Sequence, residues 1–267
     1  MCERCSRVKN LENKYSGAVF IHASGGSAAE FDLDQYADQV FFVVNGAARK
    51  FLEKNICFFA YIFTDESFVA ESLELIRNCL HLTNYLFVPF ELYQKYLADM
   101  AVSEGVEDKF YFINRVNRIH GEKNINDKFF SLKAVFDNEL KFDFSLFSAK
   151  KNKIGFSKNM SKGYFGARTI PYIALQVIFY LGFESVFLIG VDLSEASGRF
   201  YDESPVTTLP TSLDKDYARF ILPSFQFMAR EIISPNFQVY NLSETSRLPS
   251  DVIPKIKYTD LEKILST

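Results

Sequence analysis

Short apolar, β-prone runs alternate along this chain with polar turns and stretches of helical period. Ala18 to Ala23 (AVFIHA) ends at Ser24-Gly25-Gly26-Ser27, and Gln39 to Val44 (QVFFVV) ends at Asn45-Gly46. Cys57 to Phe63 (CFFAYIF) ends at Thr64-Asp65-Glu66-Ser67, and Tyr85 to Pro89 (YLFVP) leads into a helical pattern over Glu91 to Ala101. Helical patterns also follow the second and third runs, around Ala47 to Lys54 and Ser67 to Cys79. Continuous apolar runs bounded by turn residues predict strands buried on both faces. Helices between them predict a mostly parallel α/β sheet with helices on both faces. Further on, Thr169 to Leu181 is helical in period, Gly182 stops it, and Ser185 to Gly190 (SVFLIG) predicts another buried strand, ending at Val191-Asp192-Leu193-Ser194. Tyr217 to Ile233 predicts a helix despite Pro223, and Phe237 to Leu242 a late strand.

In open parallel sheets ligands sit at the carboxyl ends of the strands, and here those ends carry small, polar or acidic residues. Two stretches break the alternation. Val106 to Ser148 fits an inserted hairpin or helix pair. Residues 195–216 are polar, turn-rich and longer than an ordinary connection, which predicts a functional lid or a flexible loop in the C-terminal third. The 267 residues otherwise read as one domain, 1–267. Tyr172 to Val191 is long and apolar enough to raise a membrane span, but Gln176, Gly182, Glu184 and Ser185 interrupt it, so helix–turn–strand is expected.

Composition adds exclusions. The chain is 48% hydrophobic and 24% charged, with 29 Phe, 14 Tyr and no Trp, so a sizeable core is expected. The net charge of −3 argues against a nucleic-acid binder. Four cysteines make no disulfide framework in a chain this long; Cys2 and Cys5 form a lone CxxC, whether or not they bind metal, and Cys57 and Cys79 read as core thiols. No apolar signal region is recognisable at the start, and the expected location is the cytoplasm.

Candidate chemistry concentrates at the strand ends. The Gly25-Gly26-Ser27 turn lets backbone approach an anion, though it is neither GxGxxG nor a P-loop, and a plain tight turn explains it equally well. Asn45, Thr64 and Asp65 can hydrogen-bond a base or ribose, or simply cap the following helices; position alone leaves both open. Asp32-Leu33-Asp34 is a DxD string better explained as a helix start, and no metal is assigned. The basic stretch from Lys150 to Arg168 leads into a sheet helix, so Lys162 and Arg168 are candidates to face the pocket beside Thr169. Of the three histidines, His22 is expected to be packed, His81 to be on the surface and His120 to lie in a loop. No hydrolytic motif appears.

The stretch GARTIPYIALQVIFYLGFESVFLIGVDLS resembles the bacterial sialyltransferases typified by the Campylobacter lipooligosaccharide enzymes, and the related motility-accessory and lipopolysaccharide-core groups. The similarity lies in Thr169 opening a helix, then Leu181-Gly182-Phe183, then Gly190-Val191-Asp192. SGGSAAEFDL followed by VVNGA is similar to the opening of that family, with Asn45 matching and the loop asparagine replaced, by alignment of the pattern, with Gly25. VYNLSETSRL resembles the closing strand and its Ser-x-Leu tail. The family's lid histidine has no counterpart, because no histidine follows His120.

The resemblance implies a Rossmann-like, GT-A-like variant fold and a glycosyltransferase using a CMP-activated 2-keto sugar acid. With the histidine missing, 3-deoxy-manno-octulosonic acid (Kdo) is favoured over sialic acid, with a lipopolysaccharide or lipooligosaccharide core as acceptor. Gly25, Gly26, Ser27, Asn45, Thr64, Asp65, Lys162, Arg168, Thr169 and Asp192 are then the candidate donor-binding residues. Glu195, Asp202 and Glu203 are the candidate general bases. No cofactor is expected, because CMP leaves as one phosphate monoester without needing a metal. Peripheral contact with the cytoplasmic face of the inner membrane and oligomerisation are left open. The competing readings are a non-catalytic nucleotide- or glycan-binding protein and a phosphotransferase.

Overall fold

A computed structural model describes residues 3–118, 125–201 and 212–265. Its strands are β1 (Ala18–His22), β2 (Phe41–Val44), β3 (Phe58–Ile62), β4 (Thr83–Val88), β5 (Phe110–Phe112), β6 (Leu140–Phe142), β7 (Gly155–Ser157), β8 (Ser185–Ile189) and β9 (Gln238–Asn241). Seven of them form one sheet in the order β5-β4-β3-β2-β1-β8-β9, every neighbouring pair parallel. From β1 the chain moves toward one edge, and from β8 toward the other. The order therefore reverses between β1 and β8, which run in register from Ala18 opposite Ser185 to His22 opposite Ile189. Such a reversal parts the loops that follow the two strands and opens a crevice at their carboxyl ends.

The apolar runs form strands because both faces of the sheet are covered. Val19, Ile21, Phe42, Val44, Ala60, Ile62, Val186 and Leu188 belong to one core, with the Ile170–Leu181 and Leu222–Glu231 helices. The alternate residues Phe20, Phe41, Val43, Tyr61, Phe187 and Ile189 belong to the other, with Ala48–Lys54, Leu73–Cys79 and Tyr258–Leu265. Successive strand side chains point to opposite faces, so one apolar run feeds two cores. The phenylalanines fill them as packed rings: Phe20 lies 5.3 Å from Phe41 and 5.1 Å from Phe187, centroid to centroid. A fully buried ring of this kind contributes about 1.5–3 kcal/mol.

Between β5 and the Ile170–Leu181 helix the chain makes an excursion. It holds the Asp127–Ala134 helix and the antiparallel pair β6–β7, around a small core of Phe130, Ala134, Leu140 and Phe165. This is one helix plus a strand pair, instead of a simple hairpin or helix pair. Gln176 ties it to the sheet. Its Oε1 accepts from the Ser157 and Phe165 amides (3.0 and 2.9 Å), and its Nε2 donates to the Phe165 and Tyr172 carbonyls (2.8 and 3.1 Å).

The interrupted apolar stretch is the expected helix–turn–strand, with Gly182 at φ +99° ending the helix. Among the described residues no helix is long and apolar enough to cross a membrane. Three expectations need correction. The Ser67–Cys79 pattern is two helices, Glu66–Glu71 and Leu73–Cys79, broken at Ser72. Asp32 starts no helix: its carboxylate accepts from the Asp34 and Gln35 amides and closes a local turn. Cys57 is exposed because its strand begins one residue later, whereas Cys79 is buried and its thiol is pushed up to about 12 by burial. Cys2, and with it the CxxC, lies outside the described residues, as does His120.

Candidate active site

At the reversal point, the loop after β1 is built into the loop after β8. Gly25 donates its amide to the Gly190 carbonyl (2.9 Å), and Ser27 donates its amide (3.0 Å) and hydroxyl (2.5 Å) to the Asp192 carboxylate. Ser243, just beyond β9, donates its hydroxyl to the same carboxylate, and Arg247 N–H bonds the Asp192 carbonyl at 3.0 Å. A buried charge is tolerable when hydrogen bonds surround it, as they do here. Asp192 thus joins three strand-end loops. The Gly25 residue is required by closeness: a Cβ there would lie 2.5 Å from the Gly190 oxygen and 2.6 Å from Asp192 Oδ2.

Around this junction opens a cleft of about 1840 Å³. The loops after β1, β2, β3, β5 and β8 line it, and the residues around Tyr164 to Thr169 close the far wall. Asn45 follows β2 in the left-handed region (φ +46°), and among the described residues its Oδ1 has no partner. Asn45, Ala167, Arg168 and Leu193 all combine positive φ with a place in the cleft wall. Non-glycine residues in that region are strained by roughly 1–2 kcal/mol each, so the surrounding contacts must hold them there. The turn at Ala167-Arg168 sets Arg168 over the Phe220 ring, 5.6 Å from its centroid. It also starts the Ile170–Leu181 helix at the cleft. Thr169, its N-cap, makes no capping bond with its side chain, and the free amides of the first turn provide positive potential there.

The structure brings together Gly25, Asn45, Thr64, Asp65, Arg168, Thr169, Asp192 and Glu195 in the cleft wall. Asp65 and Asp192 are already engaged by the protein itself. Asp65 caps the Glu66–Glu71 helix through the Ser67 amide (2.9 Å) and hydroxyl (2.6 Å), and Asp192 is held as described. Gly26 and Ser27 do not line the cleft: a Cβ on Gly26 would meet the Ser197 carbonyl at 2.3 Å, and Ser27 faces Asp192. Nor does Lys162, whose ammonium is paired with Asp137 (2.5 Å) and Glu139 (2.6 Å) on the excursion. Opposite charges in the turn before β6 satisfy this lysine, which no reading of the lysine run alone reveals. Glu195 is exposed at the rim, its carboxylate accepting from the Asp214 amide at 3.3 Å. Asp202 and Glu203 lie outside the described residues, as do residues 204–211 of the expected lid.

Sequence reasoning missed Asn114, Arg115, Tyr164, Arg199 and Tyr201, all in the wall. The first two follow β5 in FYFINRV just as Asn45 follows β2 in VVNGA, and that repetition of a strand-end asparagine was a usable signal. Tyr164 had none; it arrives from the excursion, and its hydroxyl meets Arg115 and Thr64. Burial raises its pKa above the usual phenol value, with those two neighbours opposing. Arg199 pairs as an isolated antiparallel bridge with Gly25, and the Phe200 amide bonds the Ser24 carbonyl (3.2 Å), so the chain after β8 folds back over the β1 loop. Tyr201 fills the space beside Gly46, with Arg49 5.2 Å from its ring centroid.

Of the cleft's acids Glu66 pairs with Lys95 and Glu91 with Arg118, while Arg115, Arg168 and Arg199 also line the wall. Its electrostatics suit a polyanionic ligand with hydrogen-bonding edges. Among the described residues no group of three or more acidic, histidine or cysteine side chains is placed to hold a metal ion.

His22 is packed, as expected, at the end of β1, edge-on to Phe31, Phe51 and Phe200 (5.3–6.0 Å between centroids). Among the described residues neither ring nitrogen makes a well-formed hydrogen bond, although the Ala23 backbone favours the protonated ring. Burial, and then the charge of Lys50, hold its pKa down to about 3.

Comparison with known proteins gives three kinds of match. Residues 4–259 match the family model described as 3-deoxy-D-manno-octulosonic acid transferase WaaZ. A probable 3-deoxy-manno-octulosonic acid transferase from Escherichia coli K12 is 31% identical over 261 residues, 95% of this chain and 88% of that one. Among solved structures, the MAf glycosyltransferase from Magnetospirillum magneticum AMB-1 aligns with a TM-score of 0.47 and 13% identity, over 98% of this chain and 40% of that one. The sialyltransferase CstII from Campylobacter jejuni, in complex with CMP-3FNeuAc, aligns with a TM-score of 0.43 and 14% identity, over 88% of this chain and 84% of that one.

Proposed function

The chain belongs to the 3-deoxy-D-manno-octulosonic acid transferase WaaZ family and is a glycosyltransferase, and from that premise we propose that it moves Kdo from CMP-Kdo to a hydroxyl of a lipopolysaccharide core. The acceptor oxygen attacks the anomeric carbon of Kdo, and the bond from that carbon to the phosphate oxygen breaks. CMP leaves with the electron pair, and the acceptor proton passes to a base. Two anionic groups must therefore be held, the sugar carboxylate throughout and the phosphate as its charge grows. The observation that supports this reading best is the cleft at the β1/β8 reversal, with three arginines and the N-terminus of the Ile170–Leu181 helix in its wall.

In this reading Asn45, whose Oδ1 has no partner among the described residues, and Thr64 hold the cytidine side. Arg168, Thr169 and Arg115 hold the phosphate and carboxylate. Such preorganised charge acts most strongly where negative charge develops on the departing group. Asp192 and Gly25 shape the loop without touching the charge themselves. Of the carboxylates foreseen as bases, Glu195 stands at the rim, and we assign it the acceptor proton. The residues 195–216 would close over the donor and keep water from it. The reaction is proposed to need no metal, and to take place in the cytoplasm with the enzyme in peripheral contact with the inner membrane.

Thermal stabilisation by CMP, compared with CDP, UDP, GDP, ATP and NAD, each with magnesium or EDTA, tests the donor. A shift with CMP alone, equal in EDTA, is expected; a shift confined to a nucleoside diphosphate or NAD sinks the donor assignment. With CMP-Kdo and a core acceptor, Glu195→Gln is expected to lower kcat about 100-fold or more, with the acidic limb of the pH profile removed. An unchanged profile would return the base to Asp202 or Glu203.

A further inference from the structure

The excursion between β5 and the Ile170–Leu181 helix exposes what the rest of the molecule buries. Phe129, Leu132, Phe136, Phe144, Leu146 and Phe147 are, with Val102, the large apolar side chains exposed among the described residues. Phe136 and Phe147 are 89% and 95% exposed. The Asp127–Ala134 helix turns Phe130, Ser131 and Ala134 inward and leaves Phe129, Leu132 and Lys133 outside. The following loop is fixed to it: Asn152 donates to Ser131 Oγ (3.0 Å) and to the Ser145 carbonyl (3.0 Å), and accepts from the Ser145 amide (2.7 Å). The phenylalanines therefore stand on an ordered support. Apolar side chains concentrated in one small unit in this way mark an interaction surface.

The charges around them decide the occupant. From Phe144 to Lys158 the chain has Lys150, Lys151, Lys153 and Lys158 and no acid. The acids nearest in sequence are spent internally, Asp137 and Glu139 on Lys162 and Asp143 on Arg230. A second copy seated face to face would set this lysine run against itself, and protein interfaces are depleted of lysine. Aromatic and leucine side chains beside lysines instead fit the boundary of an anionic bilayer, where rings enter the acyl region and ammonium groups meet phosphates. We propose that this surface docks the protein on an anionic membrane. The same unit contributes Phe130, Ala149, Asn152 and Lys153 to the cleft wall, so docking sets the mouth of the cleft against the lipid surface, where an amphiphilic acceptor presents its sugars. The last step rests on the proposed reaction; the docking itself does not.

Co-sedimentation of the full chain with vesicles, free of any sugar donor or acceptor, tests this. Wild type is expected to bind phosphatidylcholine vesicles containing phosphatidylglycerol and to bind pure phosphatidylcholine at least tenfold more weakly, the difference shrinking with salt. The triple variant Phe129→Ser/Phe136→Ser/Phe147→Ser is expected to lose about 100-fold or more in partitioning. Lys150→Glu/Lys151→Glu, with all apolar residues kept, is expected to lose roughly tenfold on anionic vesicles only. Both variants should keep the wild-type Tm and the CMP-induced shift, which separates lost docking from lost folding. Absence of wild-type binding to anionic vesicles, or equal binding by both variants, overturns the proposal. So does a wild-type dimer in sedimentation velocity that the same substitutions dissociate. Docking without CMP-Kdo turnover would leave this surface standing and remove the reaction, and turnover without docking would do the reverse.

Discussion

The sheet and the excursion use the same side chain to opposite ends. In the sheet, Phe20, Phe41, Phe42 and Phe187 are wholly buried and set the spacing of strands and helices. In the excursion, Phe129, Phe136 and Phe147 are presented outward on a core of little more than Phe130, Ala134, Leu140 and Phe165. A seven-stranded parallel sheet has two faces to fill, and its strand phenylalanines find places on them. One helix and a strand pair enclose too little volume to hide their share. Surplus apolar surface on such a small unit persists where something else covers it.

Four measurements would break or sharpen that contrast. The largest effect is expected at the joint between the regions. Gln176→Leu leaves two amides and a carbonyl of the excursion without partners inside the core, which should cost about 3 kcal/mol or more in urea unfolding. A loss below about 1 kcal/mol would mean that the excursion is held by its own contacts. Next, Asp192→Ala strips the sheet's strand-end junction of the acceptor for Ser27 and Ser243, with about 2–3 kcal/mol lost and the CMP-induced shift abolished. If the shift survived, the junction would not be what shapes the donor loop.

The third concerns pH. His22 is held neutral in the folded state, with its pKa lowered to about 3 by burial and by Lys50. Below its ordinary value near 6.5 the unfolded chain binds a proton that the folded one does not. Stability therefore falls as pH drops from about 6.5 toward 3, by up to about 1.4 kcal/mol per pH unit from this group. His22→Phe should flatten the unfolding free energy across that window; an unaltered slope would show that other groups drive acid unfolding. The smallest effect belongs to the exposed surface. Phe136→Ser and Phe147→Ser should change stability by no more than about 0.5 kcal/mol each, since they remove no buried area. A loss above about 1.5 kcal/mol would show these rings packed within the molecule and cancel the contrast.

The hydrophobic pattern by itself determined the parallel strands, the helix–turn–strand at Gly182 and the set of loops at the strand ends. A parallel strand buried on both faces must be apolar throughout, and its signal is local. The ends of predicted elements moved by a residue or two, enough to expose Cys57, because ladder pairing sets them. The resemblance likewise depended on strings that stay contiguous in sequence, Leu181-Gly182-Phe183 and Gly190-Val191-Asp192. Tertiary structure alone decided which strand-end residues face the cleft. Asp192 and Ser27 are 165 positions apart yet satisfy each other, Asp65 is taken by its own helix cap, and Lys162 is neutralised by Asp137 and Glu139. Tyr164 enters the site from a segment whose pattern gave no reason to join it to Arg115. Hydrogen bonds and ion pairs of this kind act over a few ångströms in space, whatever the separation along the chain, so the pattern of apolar positions holds no record of them.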